Sequence, residues 1–340
     1  MNMKTSTLAA AVAAALALSV SGQANAYVYA VSNLSINNLS LVFTPGQPAV
    51  NRFDFTLTNT AVLNGVPSIS TAACGGTPGA GNNNCTQTLG SMDAAVVNAT
   101  GSTSLRTENA GAPANEFTMY GPATGGNWSN SDSQIITAEL VNLGNPTVTR
   151  NIAESELTTG STASASSQIQ SVTGFTIDFT ISTVTGLSLS FLADPELFAA
   201  ISGQPPGTYS AGANLNASFT LSQQTGGNGF VNWNPQGTAA NDCATAGGTT
   251  CVETADTQDL NINVGTTTNN TSDSYSYDPN VLNQTAFGIN IGNLTAGKWT
   301  LTLNEVKSTS LASVPEPGVL ALLGIGLAGM GLVARRRKSV

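Results

Sequence analysis

The stretch at positions 175–181 reads Phe-Thr-Ile-Asp-Phe-Thr-Ile and alternates apolar and polar side chains throughout. Successive side chains of an extended chain point to opposite faces, so this period of two predicts a β-strand with one buried face. The alternation resumes at 187–191, which reads Leu-Ser-Leu-Ser-Phe, after the turn residues Thr185-Gly186. The two runs together predict a β-hairpin.

The same alternation recurs along most of the chain, whereas helical periodicity is almost absent. Its phase slips at Asn37-Asn38, which predicts a bulge or a turn. The last two runs flank 295–297, Thr-Ala-Gly, and predict a second hairpin. Many short strands separated by turns predict an all-β fold, an antiparallel β-sandwich or jelly-roll. The further alternating runs lie at 34–43, 53–57, 135–140, 215–221, 287–291 and 299–303.

One short helix is predicted where the alternation breaks after Phe191. Asp194 suits the N-cap, and Pro195 suits the first helical position. Glu196 suits the first turn, and Gly203 would end the helix. A helix of about two turns would close one end of the sandwich.

The run at 158–167 consists entirely of Ser, Thr, Ala and Gly, which suits a linker. Two organisations therefore remain open for the body of the protein at 27–313. It is either one large β domain or two smaller ones divided near 158–167.

The first 26 residues have the three parts of a secretory signal peptide. Lys4 gives the positive start, 8–20 is apolar, and Ala24-Asn25-Ala26 provides small residues for cleavage. We expect cleavage after Ala26, which leaves an exported body.

The tail at 314–340 has three further parts in order. The spacer at 314–318 reads Val-Pro-Glu-Pro-Gly, and its prolines predict an exposed segment outside any sheet. The apolar run at 319–334 is predicted to be a transmembrane helix. The basic residues that follow predict a stop on the cytoplasmic side. They are Arg335, Arg336, Arg337 and Lys338.

This tail resembles the PEP-CTERM sorting signal of Gram-negative bacteria over residues 314–338. The resemblance implies processing by an exosortase, a membrane cysteine protease or transpeptidase, near the motif Pro315, Glu316 and Pro317. It also implies export across the inner membrane, transient anchoring there, and delivery to the cell surface or extracellular matrix. The resemblance covers the tail alone and implies no biochemical activity for the body.

The body is strongly acidic once both terminal segments are set aside. It holds five Lys and Arg against eighteen Asp and Glu, a net charge of −13. This charge argues against a nucleic-acid partner, because such binding needs a basic surface. It suits solubility, neutral glycans such as an exopolysaccharide, or bridging by divalent cations.

The four cysteines form two local pairs, Cys74 with Cys85 and Cys243 with Cys251. Four cysteines allow three connectivities, and an exported protein retains disulfides. We predict the local connectivity, in which each bond closes a short loop that contains glycine. A metal or redox site is disfavoured because neither pair has C-x-x-C spacing.

The chain contains no histidine, which excludes Ser-His-Asp and Cys-His catalysis and His-ligated metals. Paired carboxylates for glycoside hydrolysis remain chemically open, but none has a recognisable glycosidase context. We therefore predict that the protein is not an enzyme. The pairs considered are Glu154 with Glu156, Asp194 with Glu196, and Asp256 with Asp259.

Two binding chemistries remain as alternatives to a purely structural role. Carboxylates gather around the second cysteine pair, and Asp256 and Asp259 are the candidate calcium ligands, although no EF-hand or nonapeptide repeat is present. Trp128, Trp233 and the tyrosines of 275–277 are candidate glycan-stacking residues. We predict an exported structural protein of the surface or matrix, or else a glycan- or calcium-binding adhesin module. The other acidic residues of this group are Asp242, Glu253, Asp273 and Asp278.

Overall fold

The computed structural model describes residues 26–76, 90–98, 117, 119–123, 126–137, 147–158, 162–238, 241–278 and 283–315. The predicted signal peptide up to residue 25, Cys85, and the tail from Glu316 onward lie outside the described residues. Within the described ranges, no helix is long and apolar enough to cross a membrane.

The described residues form sixteen strands in two antiparallel sheets of eight. The first sheet, sheet A, contains β1 (Tyr27–Thr44), β4 (Gly90–Asn98), β5 (Trp128–Thr137), β6 (Thr147–Thr158), β8 (Thr185–Ser202), β12 (Thr250–Asp256), β14 (Thr271–Tyr275) and β15 (Thr285–Leu294). The second, sheet B, contains β2 (Ala49–Leu63), β3 (Val66–Gly76), β7 (Ala163–Ile181), β9 (Gly207–Gln223), β10 (Phe230–Trp233), β11 (Cys243–Ala246), β13 (Asn261–Thr266) and β16 (Gly297–Pro315).

The chain crosses repeatedly from one sheet to the other. Sheet A runs β12-β15-β8-β1-β6-β5-β4, with β14 also paired to β8. Sheet B runs β11-β10-β9-β16-β7-β2-β3, with β13 also paired to β9. The all-β antiparallel prediction is confirmed for the described residues.

One apolar core lies between the two sheets, as in a β-sandwich. Phe191 of β8 is near its centre, with its ring centroid 5.0 Å from Phe287, 5.2 Å from Phe219 and 5.8 Å from Trp233. The first partner belongs to sheet A and the other two to sheet B, so one side chain bridges both layers. The core draws residues from Val28 through to Leu311. Wherever burial is described in the predicted runs, the inward residues are those that the alternation predicts; the end of the predicted run at 135–140 lies outside the described residues.

The two predicted hairpins are wrong. β7 pairs with β16 and β2, whereas β8 pairs with β1, β14 and β15, so the turn at 182–184 connects the two sheets. Likewise β15 pairs with β8 and β12, whereas β16 pairs with β7 and β9. The two strands joined by each such arch belong to different sheets, and β8 packs across the core on β9, where Phe191 contacts Phe219. Both strands of an arch bury alternate side chains, as the strands of a hairpin would.

The second arch depends on Gly297, which has a φ of +145°. A Cβ there would lie 1.9 Å from the carbonyl oxygen of Thr225. The chain does turn at the predicted position. The turn packs closely against the loop that follows β9.

The predicted helix at 194–203 is wrong, because β8 continues through these residues to Ser202. Along one edge of β8, every residue from Asp194 to Ser202 pairs with β1. On the other edge, β15 ends its pairing at Ala193 and β14 begins at Leu197. Pro195 lies in this gap, where the donor that proline lacks is not needed by a second strand. Capping signals are local and could not reveal this long-range pairing.

Other local predictions are confirmed. The pairing of β1 with both neighbours shifts register around Asn37 and Asn38, and Asn38 has a positive φ of 56°. Ile36 before the bulge and Leu39 after it are both buried, although they are three residues apart. The bulge thus keeps the strand's apolar side chains on the same face. A hairpin that we did not predict joins β2 to β3 at Asn64-Gly65, whose φ values are 52° and 78°. Asn-Gly with positive φ at both positions is the signature of a type I′ turn, so the sequence did contain this signal.

Two segments predicted to lie outside the sheets are partly strand. Residues 163–167 of the predicted linker open β7, and they pair with the end of β16. Val314 and Pro315 of the predicted spacer pair with Thr208 and Gly207. Proline is tolerated at a strand end, so the expectation that the spacer begins at Val314 is corrected by two residues.

Candidate functional site

The strand that leads to the predicted sorting tail is an interior strand. β16 lies between β7 and β9 in sheet B, and its pairing with β9 runs from Trp299 to Pro315. Ser313 is fully buried and Val314 is 49 % exposed. The chain therefore leaves the body directly from the middle of a sheet, and the motif Pro315, Glu316 and Pro317 begins where the pairing ends.

The disulfide between Cys243 and Cys251 is confirmed. Cys243 belongs to β11 at one edge of sheet B, and Cys251 belongs to β12 at one edge of sheet A. The sequence suggested a loop staple, but the bond also links the two sheets at an edge. Cys74 lies in β3, and its predicted partner Cys85 lies outside the described residues.

A group of three carboxylates lies beside this disulfide. Ligand oxygens of Asp242, Glu253 and Asp256 all lie within 4.8 Å of one another. Carboxylate oxygens are the ligands that calcium prefers, so the group could hold a divalent cation. Of the two residues singled out in the sequence, Asp256 belongs to this group and Asp259 does not.

These carboxylates already accept hydrogen bonds from nearby loops. Asp256 Oδ2 accepts from the backbone N–H groups of Gln236 at 3.1 Å and Gly237 at 3.0 Å. Its other oxygen, Oδ1, is buried and has no hydrogen-bond partner among the described residues. Burial, with the nearby charges of Glu253 and Asp242, raises the pKa of Asp256 to about 6. A bound cation or a proton on Asp256 would reduce the repulsion among these three carboxylates.

Glu253 and Asp259 are similarly engaged. Glu253 accepts from the indole Nε1 of Trp233 and, at 2.9 Å, from the backbone N–H of Asp242. Asp259 Oδ1 accepts from the backbone N–H of Asn261 at 2.7 Å. Burial raises the pKa of Asp259. Backbone anchoring is thus the shown role of both side chains.

The other two carboxylate pairs lie on the outer face of sheet A. Asp194 Oδ2 accepts from the N–H of Asn283, and Glu196 Oε1 accepts from that of Asp278, each at 3.0 Å. Burial raises the pKa of Glu196 to about 7, although Asn33 donates a hydrogen bond to it at 2.9 Å. The two donors follow β14 and precede β15 in the chain, and both contact the segment of β8 between its pairings with these two strands.

Glu154 has a comparable role on β6, two strands away from β8 in the same sheet. Its Oε1 accepts from the hydroxyl of Tyr29 at 2.5 Å and from the N–H groups of Tyr120 at 2.9 Å and Gly121 at 3.1 Å. Glu156, like Glu154, is completely buried. An oxygen that already accepts three hydrogen bonds serves to hold a loop on the sheet.

The three tryptophans are all buried. Trp128 is 2 % exposed, Trp233 is 0 % exposed and Trp299 is 1 % exposed. Trp128 and Trp233 therefore present no ring face for a sugar to stack on. Tyr275 and Tyr277 are only half-buried, but Tyr277 already stacks on Phe198 with ring centroids 4.5 Å apart.

A buried polar layer between the sheets was not predicted. It joins side chains of β5 and β6 to side chains of β2 and β16 across the sandwich. Its sequence signal was available, because Glu305 and Lys307 continue the buried phase of Leu301 and Leu303. We define the polar layer as Asn59, Ser129, Ser133, Thr149, Asn151, Ser155, Glu305, Lys307 and Thr309.

Residues 313–338 match the family model of the PEP-CTERM protein-sorting motif. This match confirms the resemblance that the spacer, the apolar run and the basic cluster indicated. No curated protein and no solved structure matches the chain. The chain therefore carries a PEP-CTERM sorting motif on the segment that follows β16, which indicates an exported protein that is sorted at the membrane and processed by an exosortase.

Proposed function

We propose that this protein is a non-catalytic structural component of the cell surface or of an exopolysaccharide matrix. The observation that carries the proposal is the sorting motif at 313–338, which continues directly from the body. The motif accounts for export and for transient anchoring in the inner membrane by the apolar run. The body is what would remain at the surface after processing.

The body supports a structural role through its composition and its contacts. It lacks histidine and is net acidic, which suits a soluble surface domain. Its candidate catalytic carboxylates, Asp194, Glu196 and Glu154, accept hydrogen bonds from loop backbone and so serve as anchors. Contact with a polysaccharide would use polar surface residues, since Trp128 and Trp233 are buried.

The strand pairing limits where processing can occur. A protease needs an extended segment that is free of sheet pairing, and β16 is paired up to Pro315. We therefore place the cleaved or transferred bond after Pro315. The processed protein would then keep all of β16.

The test is the C-terminus of the protein recovered from the cell surface, measured by intact-mass spectrometry with and without the exosortase. We expect a chain that lacks 319–340 in the presence of the enzyme. Replacing the motif residues Pro315, Glu316 and Pro317 by Ala should leave a full-length chain in the membrane fraction.

Pro206→Ala is the matched control, because this exposed proline lies next to Gly207, the residue that pairs with Pro315. It should be processed like the unchanged protein. Surface-recovered protein that still carries residues 319–340 would contradict the proposal.

A second candidate function, calcium binding by a surface adhesin, is favoured by one specific observation. Asp242, Glu253 and Asp256 present oxygens within 4.8 Å of one another, and Asp256 Oδ1 is buried without a hydrogen-bond partner among the described residues. A cation there would join the loop before β11 to β12, next to the disulfide.

Calorimetric titration with Ca²⁺ tests this candidate. Asp256→Asn should bind calcium about tenfold or more weakly than the unchanged protein, because the number of charged ligands sets affinity. Asp273→Asn removes an exposed carboxylate outside the group and should bind like the unchanged protein. Absence of calcium-dependent heat in the unchanged protein would eliminate the candidate.

A further inference from the structure

Lys307 is placed unusually for a lysine. The body between the two terminal segments contains only two lysines, Lys298 and Lys307. Lys298 is exposed, whereas Lys307 is completely buried inside the sandwich. Burying an ammonium group is costly unless it is paired and hydrogen-bonded. The groups around Lys307 must therefore compensate for its burial.

In the polar layer, Lys307 contacts the carboxylate of Glu305, and that carboxylate also contacts the carboxamide of Asn151. Lys307 Nζ donates to Glu305 Oε2, and Asn151 Nδ2 donates to the same oxygen at 2.8 Å. Thr149 Oγ1 lies 3.4 Å from the other oxygen, Oε1. Glu305 and Lys307 belong to β16 of sheet B, and Asn151 belongs to β6 of sheet A. One carboxylate oxygen thus touches the amine of one sheet and the amide of the other.

The amide of Asn151 is not used fully by its surroundings. Its Oδ1 is buried and has no hydrogen-bond partner among the described residues. A buried acceptor without a partner costs free energy, because it has lost its hydrogen bonds to water. The hydrogen bond from Asn151 Nδ2 to Glu305 does nothing for the unpaired Oδ1. A purely structural role therefore does not explain well why an asparagine occupies this position.

The environment also favours the reactive form of the amine. Burial lowers the pKa of Lys307, and the neighbouring Glu305 opposes that effect. In a dry interior, proton transfer from the ammonium to the carboxylate removes both charges. The deprotonated amine is a nucleophile, and Glu305 Oε2, which contacts both Lys307 Nζ and Asn151 Nδ2, can relay a proton from one nitrogen to the other.

We propose that Lys307 and Asn151 condense into an intramolecular isopeptide bond that joins sheet B to sheet A, with Glu305 as the catalytic residue. Lys307 Nζ attacks Asn151 Cγ and forms the new C–N bond. Glu305 gives its proton to Asn151 Nδ2 and takes one from the attacking nitrogen. The Cγ–Nδ2 bond then breaks, and ammonia leaves.

The step balances without an external reagent. The ammonium, the carboxylate and the carboxamide become a secondary amide, one ammonia and a protonated carboxyl group. Net charge is unchanged and no electrons are transferred. The reaction needs only that the three side chains are held together away from water, which the folded sandwich provides.

The test is mass spectrometry of the purified full chain after reduction of its disulfides. The measured mass of the isolated protein should be lower than the mass calculated from its sequence by the mass of one ammonia. Digestion at glutamyl bonds cuts after Glu154 and after Glu305, so Asn151 and Lys307 fall in different peptides. We expect these two peptides to remain joined as one cross-linked species.

Three variants assign the roles. Glu305→Gln cannot transfer protons in this way and should leave the full mass and separate peptides. Asn151→Asp should lose water in place of ammonia and reach the same final mass as the unchanged protein. Lys298→Arg, which removes the exposed lysine of the same strand, should keep the cross-link.

The unchanged protein alone can overturn the proposal, so the outcome does not depend on whether the variants fold. Full mass with separate peptides would show that the three residues form only a buried ion pair with a hydrogen-bonded amide. Loss of ammonia with separate peptides would indicate cyclisation of an asparagine onto its own backbone. A cross-link that involves Lys298 would equally exclude the assignment.

Discussion

Buried and half-buried carboxylates hold irregular segments of this protein on its sheets. Glu154 fixes the segment at Tyr120 and Gly121, while Asp256 fixes Gln236 and Gly237. Loop backbone groups must find partners when they are removed from water. Carboxylates supply strong acceptors for them. The acidic residues that the sequence presented as possible ligands thus have a shown structural use.

The first prediction concerns Glu196, whose pKa is raised from 4.5 to about 7, mainly by burial. Between these two pH values the folded protein binds more protons at this site than the unfolded chain does. The free energy of unfolding should therefore decrease as pH rises through this interval. The loss at this site should be on the order of 2 kcal/mol once solvent screening is allowed for.

Glu196→Gln should reduce that slope, because an amide does not titrate and its oxygen can still accept from the N–H of Asp278. The measurement is urea unfolding at intervals between pH 4.5 and pH 7. Asp273→Asn, at an exposed carboxylate of β14, is the control and should keep the original slope. An unchanged slope in Glu196→Gln would refute the assignment. Some slope should remain, since burial also raises the pKa of Asp194 and Asp256.

Strands were predictable from alternation, but their partners were not. Ile177 and Leu189 were both placed correctly on buried faces. The same pattern would arise whether the two strands pair in one sheet or belong to two different sheets that share a core. What decides between them is which long-range neighbours each strand finds, and a turn at 182–184 gives no information about that. The Asp194-Pro195 capping signal failed for the same reason.

The second prediction concerns the edge strands β11 and β12. Replacing both Cys243 and Cys251 by Ser should lower the free energy of unfolding by about 2–3 kcal/mol, the loop-closure contribution of a short disulfide loop. Hydrogen exchange should accelerate most in these two strands, because the bond holds the edges of both sheets together.

Val252→Ser is the matched control for a polar substitution on β12, since Val252 is 59 % exposed and its replacement removes little buried surface. It should leave both the unfolding free energy and the exchange of β11 close to their original values. Equal acceleration of exchange in all strands of the double variant would mean that the bond stabilises the sandwich globally and does not act as a local link.

For the molecule as a whole, the sequence was most informative at the tail and least informative inside the core. The order of spacer, apolar run and basic cluster was sufficient to identify the sorting motif, because such a signal is linear and does not depend on folding. The acidic group predicted around the second cysteine pair contained all three members of the candidate cation group, but the sequence did not separate them from Asp259, Asp273 and Asp278. Asp242, in the loop before β11, meets Glu253 and Asp256 of β12 only in the folded protein, which is why their spacing alone could not select these three.

The polar layer shows the limit most clearly. Glu305 and Lys307 occupy the buried phase of β16, which was visible in the sequence, but their partner Asn151 is 154 residues away from Glu305. Only the packing of β6 against β16 brings these groups together. A site made from distant strands of facing sheets cannot be recognised from residue spacing.

The route by which β16 joins the tail gives this strand a mechanical role. If the processed C-terminus is tethered to the cell or to a matrix polymer, tension on the protein enters at Pro315 and acts along β16. The strand is held on both sides, by β7 and β9, along nearly its whole length. Force along such a strand loads many hydrogen bonds at once, as in shear, and does not open them one after another. The body would then resist being pulled from its tether far better than it would if the tag followed an edge strand.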